Sequence, residues 1–154
     1  MGTPFSTIED LAMVTIQDYK LDALYQNSPT DWATFVGGFV VRASLLFRGC
    51  TIDLSYDTST LSFNSTLGTQ EINILVYLFI QMWLERSAQN LSQKMATMTP
   101  SDAKRTNLPT TLKEQQYALD AIREKTSQLM TEYSYDHVDW NAWLNGNFIS
   151  SSGE

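Results

Sequence analysis

From Thr69-Gln70-Glu71 to about Met95 the chain reads as one long helix, and its first half leaves almost no polar face. Ile72, Leu75, Val76, Phe79, Met82, Trp83 and Ser87 recur at helical spacing as an inner face. Ile74, Tyr77, Leu78 and Leu84 fill most of what remains. A helix that is apolar nearly all round has to be enclosed, so the rest of the chain must wrap it as helices wrap the centre of a bundle. After Arg86 the pattern turns polar, which predicts a C-terminal half running out into solvent. The unbroken apolar run Ile74 to Ile80 is far shorter than the ~20 residues that span a bilayer.

The wrapping elements can be placed around it. Ser6-Thr7-Ile8-Glu9 has the form of a capping box, with Ser6 at the N-cap of a short helix to about Ile16. Ile8, Leu11, Ala12 and Thr15 would share its inner face. Residues 17–25 fit either a loop or a further helical turn, and Asn27-Ser28-Pro29 breaks the pattern. A second helix then runs from Pro29-Thr30-Asp31 to about Phe47, with Trp32, Phe35, Val36, Phe39, Val40, Ala43, Leu46 and Phe47 as its stripe. Gly37-Gly38 inside that stripe costs about 1 kcal/mol per glycine relative to alanine. The pair implies either a close helix crossing or a kink.

Between Thr51 and Phe63 the period drops to two. Ile52, Leu54 and Tyr56 alternate with Asp53, Ser55 and Asp57 before an Asp57-Thr58-Ser59-Thr60 turn, which predicts a small hairpin or extended arm. Two strands alone are marginal in water, so the arm must pack on the helices or on another chain. Residues 97–109, with two prolines, read as a loop. The fourth helix spans about Leu112 to Tyr133, with Gln116, Leu119, Ile122, Thr126, Leu129, Met130 and Tyr133 on one face. The expected architecture is mainly α: a four-helix bundle-like domain over residues 1–133, a short β hairpin at about 51–63, and an extended C-terminal docking tail over 134–154.

Few features suggest catalysis. His137 is the single histidine and Cys50 the single cysteine, which leaves no disulfide framework and no multi-cysteine metal site. Cys50 beside Gly49 at a helix end reads as a small buried residue. No P-loop, GxGxxG, GxSxG or HExxH pattern occurs. Asp18 and Asp22, four apart, read as solvated helix-surface carboxylates. The expectation is therefore a protein that is not an enzyme and uses no metal or cofactor. Ten basic residues against 17 acidic ones give a net charge of −7, which argues against a broad nucleic-acid-binding face. The amino terminus carries no basic stretch followed by an apolar run, so an intracellular or virion protein, soluble and not membrane-bound, is expected.

Charged residues are sparse, 18% against the usual ~25%, so part of the surface is expected to be covered by a partner. The C-terminal segment is the strongest candidate for such a contact. After Lys125 there is no lysine or arginine, and Tyr135, Trp140, Trp143, Leu144 and Phe148 follow without helical periodicity. Such anchors either fold back on their own domain or enter a partner's pocket, where tryptophan and tyrosine typically carry binding energy. The segment's acidity favours a partner groove carrying arginine or lysine.

The order of these elements resembles a known family. A short N-terminal helix, Asp18-Tyr19-Lys20-Leu21-Asp22, a second helix and Leu54-Ser55-Tyr56-Asp57 precede the Gln70-Glu71-Ile72 helix, and Leu112-Lys113-Glu114 opens the last one. Together, over most of residues 7–133, they resemble the head–tail connector (adaptor, or neck) proteins of tailed bacteriophages. The resemblance implies a structural virion protein, a dodecamer of helical bundles beneath the portal that joins head to tail and extends the DNA channel. Implied partners are the portal protein, copies of the chain itself in a ring of twelve, and a downstream neck or tail protein. DNA would pass through without specific binding, as an acidic balance suits. Portal docking would fall to Tyr135, Trp140, Trp143, Leu144 and Phe148. Arg42, Arg48, Arg86 and Tyr56 are candidates for contacts between subunits. The alternative is a soluble helical regulatory or adaptor protein that binds its partner through the same C-terminal tryptophans.

Overall fold

In a computed structural model the chain is described over residues 2–16, 25–138 and 140, apart from the side chains of 103–105. Helices dominate. In chain order the elements are α1 (Phe5–Thr15), α2 (Pro29–Leu46), β1 (Tyr56–Asp57), β2 (Ser62–Phe63), α3 (Thr69–Ala96), α4 (Pro100–Arg105) and α5 (Leu108–Asp136).

The long apolar helix sits at the centre. α1, α2 and α5 all pack on α3, and Ile74, Leu75, Val76, Leu78, Phe79, Ile80 and Met82 are buried in it. Each such side chain stabilises the fold by about 1.5–3 kcal/mol when fully buried. The expected single inner face gives way to burial on several sides: Ile72, Trp83 and Ser87 are only half-buried, whereas Ile74, Leu78 and Ile80 are enclosed. Three neighbouring helices, not one, explain the difference.

α5 runs antiparallel to α3. Gln115 reaches Ser87 near one end at 3.1 Å, and Gln70 reaches Asp136 at the other at 2.8 Å. Between them Arg123 pairs with Glu85 at 2.8 Å. Leu108, Leu119, Thr126 and Tyr133 are its buried positions, with Ile122, Leu129 and Met130 partly covered, but Gln116 is exposed. The face points as the spacing predicts, one residue over at its start: Gln115 turns inward instead.

Residues 97–109 are not a loop. Thr99 donates from its hydroxyl to the Asp102 carboxylate at 2.6 Å and accepts from the Asp102 amide, and Pro100 opens α4 directly after it. Pro109 likewise occupies the first turn of α5, after Asn107 in the left-handed region at φ 52°. Proline suits the first turn because its missing N–H has no helical partner there. At its other end α5 continues past Tyr133 to Asp136, so the first residues assigned to the tail are helical.

α1 also starts differently. Pro4 stands at its N-cap, no side chain caps it, and Phe5 is its first residue. Ser6 is therefore inside the first turn, and Glu9 is buried instead of reaching back to cap. Of the expected inner face, Ile8 and Ala12 are buried while Leu11 and Thr15 are exposed, Phe5 and Ile16 supplying the rest.

The hairpin forms as the two-residue period predicts, with Tyr56 opposite Phe63 and Asp57 opposite Ser62. It is not left as two strands. The amino-terminal segment lies along its other edge, Phe63 N donating to Thr3 O at 2.8 Å and Phe5 N to Leu61 O at 2.9 Å. Tyr56 and Phe63 both pack on the Phe5 ring, at 6.2 and 5.0 Å between centroids.

α2 is preceded by Ser28 at φ −148°, ψ 81°, outside the helical region that a residue before proline avoids, and runs unbroken through both glycines. A Cβ on Gly37 would lie 3.5 Å from Leu61 and 3.6 Å from Phe5, while one on Gly38 would meet nothing within 4 Å. The approach at Gly37 is by side chains of α1 and the hairpin, not by another helix backbone, and Gly38 faces open space.

Candidate functional site

Two regions gather the residues singled out from sequence. The first is the root of the C-terminal segment. Tyr133, buried on α5, donates its phenolic proton to Glu71 Oε1 at 2.9 Å. The same oxygen accepts from the Thr51 amide at 3.2 Å and bonds the Thr51 hydroxyl at 2.7 Å. Burial pushes the Tyr133 phenol up from its ordinary pKa and keeps it a neutral donor. Phe47 covers the ring at 5.2 Å. One turn on, His137 Nδ1–H donates to the Tyr133 carbonyl at 2.8 Å and its ring lies 4.1 Å from the Tyr133 ring.

Beyond this clamp Tyr135 and Trp140 stand in solvent, 60% and 50% exposed, their rings parallel within 3° at a centroid distance of 6.4 Å. Trp143, Leu144 and Phe148 lie outside the described residues. So do Asp18 and Asp22.

Cys50 and His137 meet the same tyrosine at different ends. Cys50 Sγ lies 3.8 Å from the phenol oxygen, whereas His137 bonds the backbone of Tyr133. Burial pushes the Cys50 thiol up from its ordinary pKa, the opposite of what a nucleophilic thiolate needs. The arrangement favours packing over catalysis at this cysteine. Among the described residues no group of three or more His, Cys, Asp or Glu side chains is placed to hold a metal ion.

The second region is a groove of about 480 Å³ between α2 and α3. Arg42 comes to it from α2 and Arg86 from α3, and both are exposed. The Arg86 guanidinium lies 4.8 Å above the centre of the Phe35 ring and 5.9 Å from that of Phe39, a cation–π geometry. Gln89 and Asn90 add polar groups at the wall, and Gly38 leaves it open. Glu85 also borders the groove, but its carboxylate is held across α5 by Arg123 at 2.8 Å. No carboxylate among the described residues pairs with Arg42 or Arg86. Arg48 is exposed beyond the end of α2 and lines a different, shallower depression with Met130 and Ser134. Tyr56 is half-buried, its ring tilted against that of Phe5 at 6.2 Å between centroids.

Sequence spacing could not bring Arg42 and Arg86 together, since they belong to different helices, nor Glu71 and Tyr133, 62 positions apart. The one available signal was an acidic residue at the start of an otherwise apolar stretch. No helix among the described residues is long and apolar enough to cross a membrane. No family model, no curated protein and no solved structure matches this chain.

Proposed function

We propose that the chain is a structural connector of a tailed bacteriophage, forming a ring beneath the portal in the virion neck. The observation that carries the reading is the pair of exposed, stacked aromatics at the end of α5. Tyr135 and Trp140 leave the domain from a helix whose last turn is fixed by the buried Tyr133–Glu71 bond. An exposed anchor on a firmly held root loses little further freedom on docking, which favours binding. Asp136 at the end of the helix, and Asp139 next to Trp140 in sequence, suit a portal groove that carries cations.

In this reading the tail, including Trp143, Leu144 and Phe148, grips the portal, and neighbouring bundles pack side by side through heterologous contacts closed by rotation. The opposite edge receives the next neck or tail protein. The net charge of −7 suits a channel that must release DNA.

The test is to tag the protein and image purified particles by electron microscopy with a labelled antibody. Label at a single vertex, between head and tail, is the expected result. Particles without label, with the protein still in the infected-cell lysate, would overturn the connector reading in favour of a regulator that uses the same tryptophans.

A further inference from the structure

The Arg42/Arg86 groove has a counterpart on the same chain. Asp53 and Asp57 stand exposed along the hairpin arm, each gripped by a serine two residues on: Ser55 Oγ to Asp53 Oδ2 at 2.6 Å, Ser59 Oγ to Asp57 Oδ1 at 2.7 Å. The amides of Ser55 and Ser59 donate to the same carboxylates. These bonds lower both pKa values and fix the carboxylates in place. No lysine or arginine among the described residues pairs with either. Among the described residues, one chain thus carries a groove with two arginines lacking a carboxylate, and a ridge with two oriented carboxylates lacking a cation.

We infer that the groove between α2 and α3 of one copy takes the Asp53–Asp57 ridge of a second copy. The chemistry matches on both sides. Guanidinium forks receive carboxylates bidentately, and Arg86 is already positioned by the Phe35 ring it covers. Gln89 and Asn90 offer amides to a ridge rich in hydroxyls, and the open space at Gly38 admits a backbone.

The two surfaces lie on different sides of α2. Gly37 faces the hairpin through Leu61, whereas Gly38, about 100° further round the helix, lines the groove. Because they face different sides of α2, the inferred contact is head-to-tail, each copy offering a groove to one neighbour and a ridge to the other, and not a reciprocal two-fold pair. Closure of such contacts into a ring rests on the connector reading above; the contact itself does not.

Sedimentation of the full chain at low ionic strength, up to about 1 mM, tests the contact with the neutral variants R42Q/R86Q and D53N/D57N, whose melting curves are checked against wild type. Wild type is expected to associate beyond a dimer, and each variant alone to weaken that association at least about tenfold, as loss of charge-paired contacts does. An equimolar mixture of the two variants retains one intact groove and one intact ridge, so it should form a one-to-one pair and stop there. A wild type that stays monomeric, variants that associate unchanged, or a mixture that does not pair would each overturn the inference. Vertex label in particles with unchanged association would remove this contact alone. Charge-dependent association with unlabelled particles would remove the connector reading alone.

Discussion

Tyr133 on α5 donates to Glu71 on α3 at 2.9 Å, with both side chains buried, and so ties the end of the last helix to the start of the central one. The tyrosine oxygen meanwhile accepts from Thr51 at the head of the hairpin arm. Three segments far apart in sequence close on a single atom.

Tyr133→Phe keeps the ring and removes that atom. It leaves the buried Glu71 carboxylate and the Thr51 amide without their partner, which costs on the order of 1–3 kcal/mol. Urea unfolding should show the midpoint falling with an unchanged slope. A double-mutant cycle with Glu71→Ala, which removes the acceptor, should give a coupling well above that of distant sites. Additive effects would mean that the bond contributes nothing to stability.

Glu9 makes stability depend on pH in an unusual direction. It is 3% exposed, its Oε1 has no hydrogen-bond partner among the described residues, and burial, with the Asp10 charge secondary, pushes its pKa up to about 7. The folded chain therefore holds a proton that the unfolded chain releases near 4.5. Below that pH both states are protonated and nothing is lost; between 4.5 and about 7 the unfolded state ionises while the folded state keeps its proton, so stability falls, and above about 7 the loss is complete. Glu9→Gln should match wild type near pH 4 and exceed it at pH 8, on the order of 2 kcal/mol after allowing for partial solvent screening. Chemical denaturation at the two pH values checks this, and equal gains at both would refute the titration.

How far the fold was legible follows from where its information lies. α2 and α3 were readable because burial on one element repeats at that element's own period, and the Ile52-Leu54-Tyr56 alternation gave the arm in the same way. α4 is hidden in the sequence because Pro100 and Pro109 have the look of breakers, although Thr99 and Asp102 together spell a cap. The spacing of Glu9 from Ser6 fits a capping box; the competing demand, burial close to Gly37 of α2, is tertiary. The edge pairing of Thr3 with Phe63 and the meeting of Arg42 with Arg86 are also relations between elements. No periodicity within one element encodes them.

That edge pairing yields a sharp local test. A Cβ on Gly2 would lie 1.7 Å from the Phe63 carbonyl oxygen, so the amino-terminal segment can lie against the hairpin only with glycine there. Gly2→Ala should displace the segment and release the Phe63 amide from Thr3. Hydrogen exchange at Phe63 is expected to quicken at least about tenfold, a local opening, while the α3 core amides keep their protection. Unchanged exchange at Phe63 would show that the segment does not need this approach.

Gly37 and Gly38 separate helix propensity from close packing. A methyl at Gly37 would sit at ordinary contact distance from Leu61 and Phe5, and one at Gly38 in open space. Either glycine to alanine should therefore stabilise α2 by about 0.5–1 kcal/mol, since alanine loses less conformational entropy in a helix. Gly37→Leu has no room against Phe5 and should destabilise by about 1–3 kcal/mol through overpacking. Thermal melts of the three variants check the ordering. A destabilised Gly38→Ala would contradict the open space beside it.

Trp140 separates folding from docking. Half-exposed and stacked on the equally exposed Tyr135, it contributes little to the core, so Trp140→Ala should leave the unfolding midpoint within about 0.5 kcal/mol of wild type, as for surface changes elsewhere. As a partner anchor, however, the truncation should cost about 2 kcal/mol or more of binding. The chain should then fold normally and yet be missing from purified particles, measured by quantitative mass spectrometry against a capsid standard. Asp31→Asn, exposed in the first turn of α2, serves as the control and should be incorporated normally. Full incorporation of the Trp140 variant would remove this residue from the docking surface and leave Tyr135 to be tested in its place.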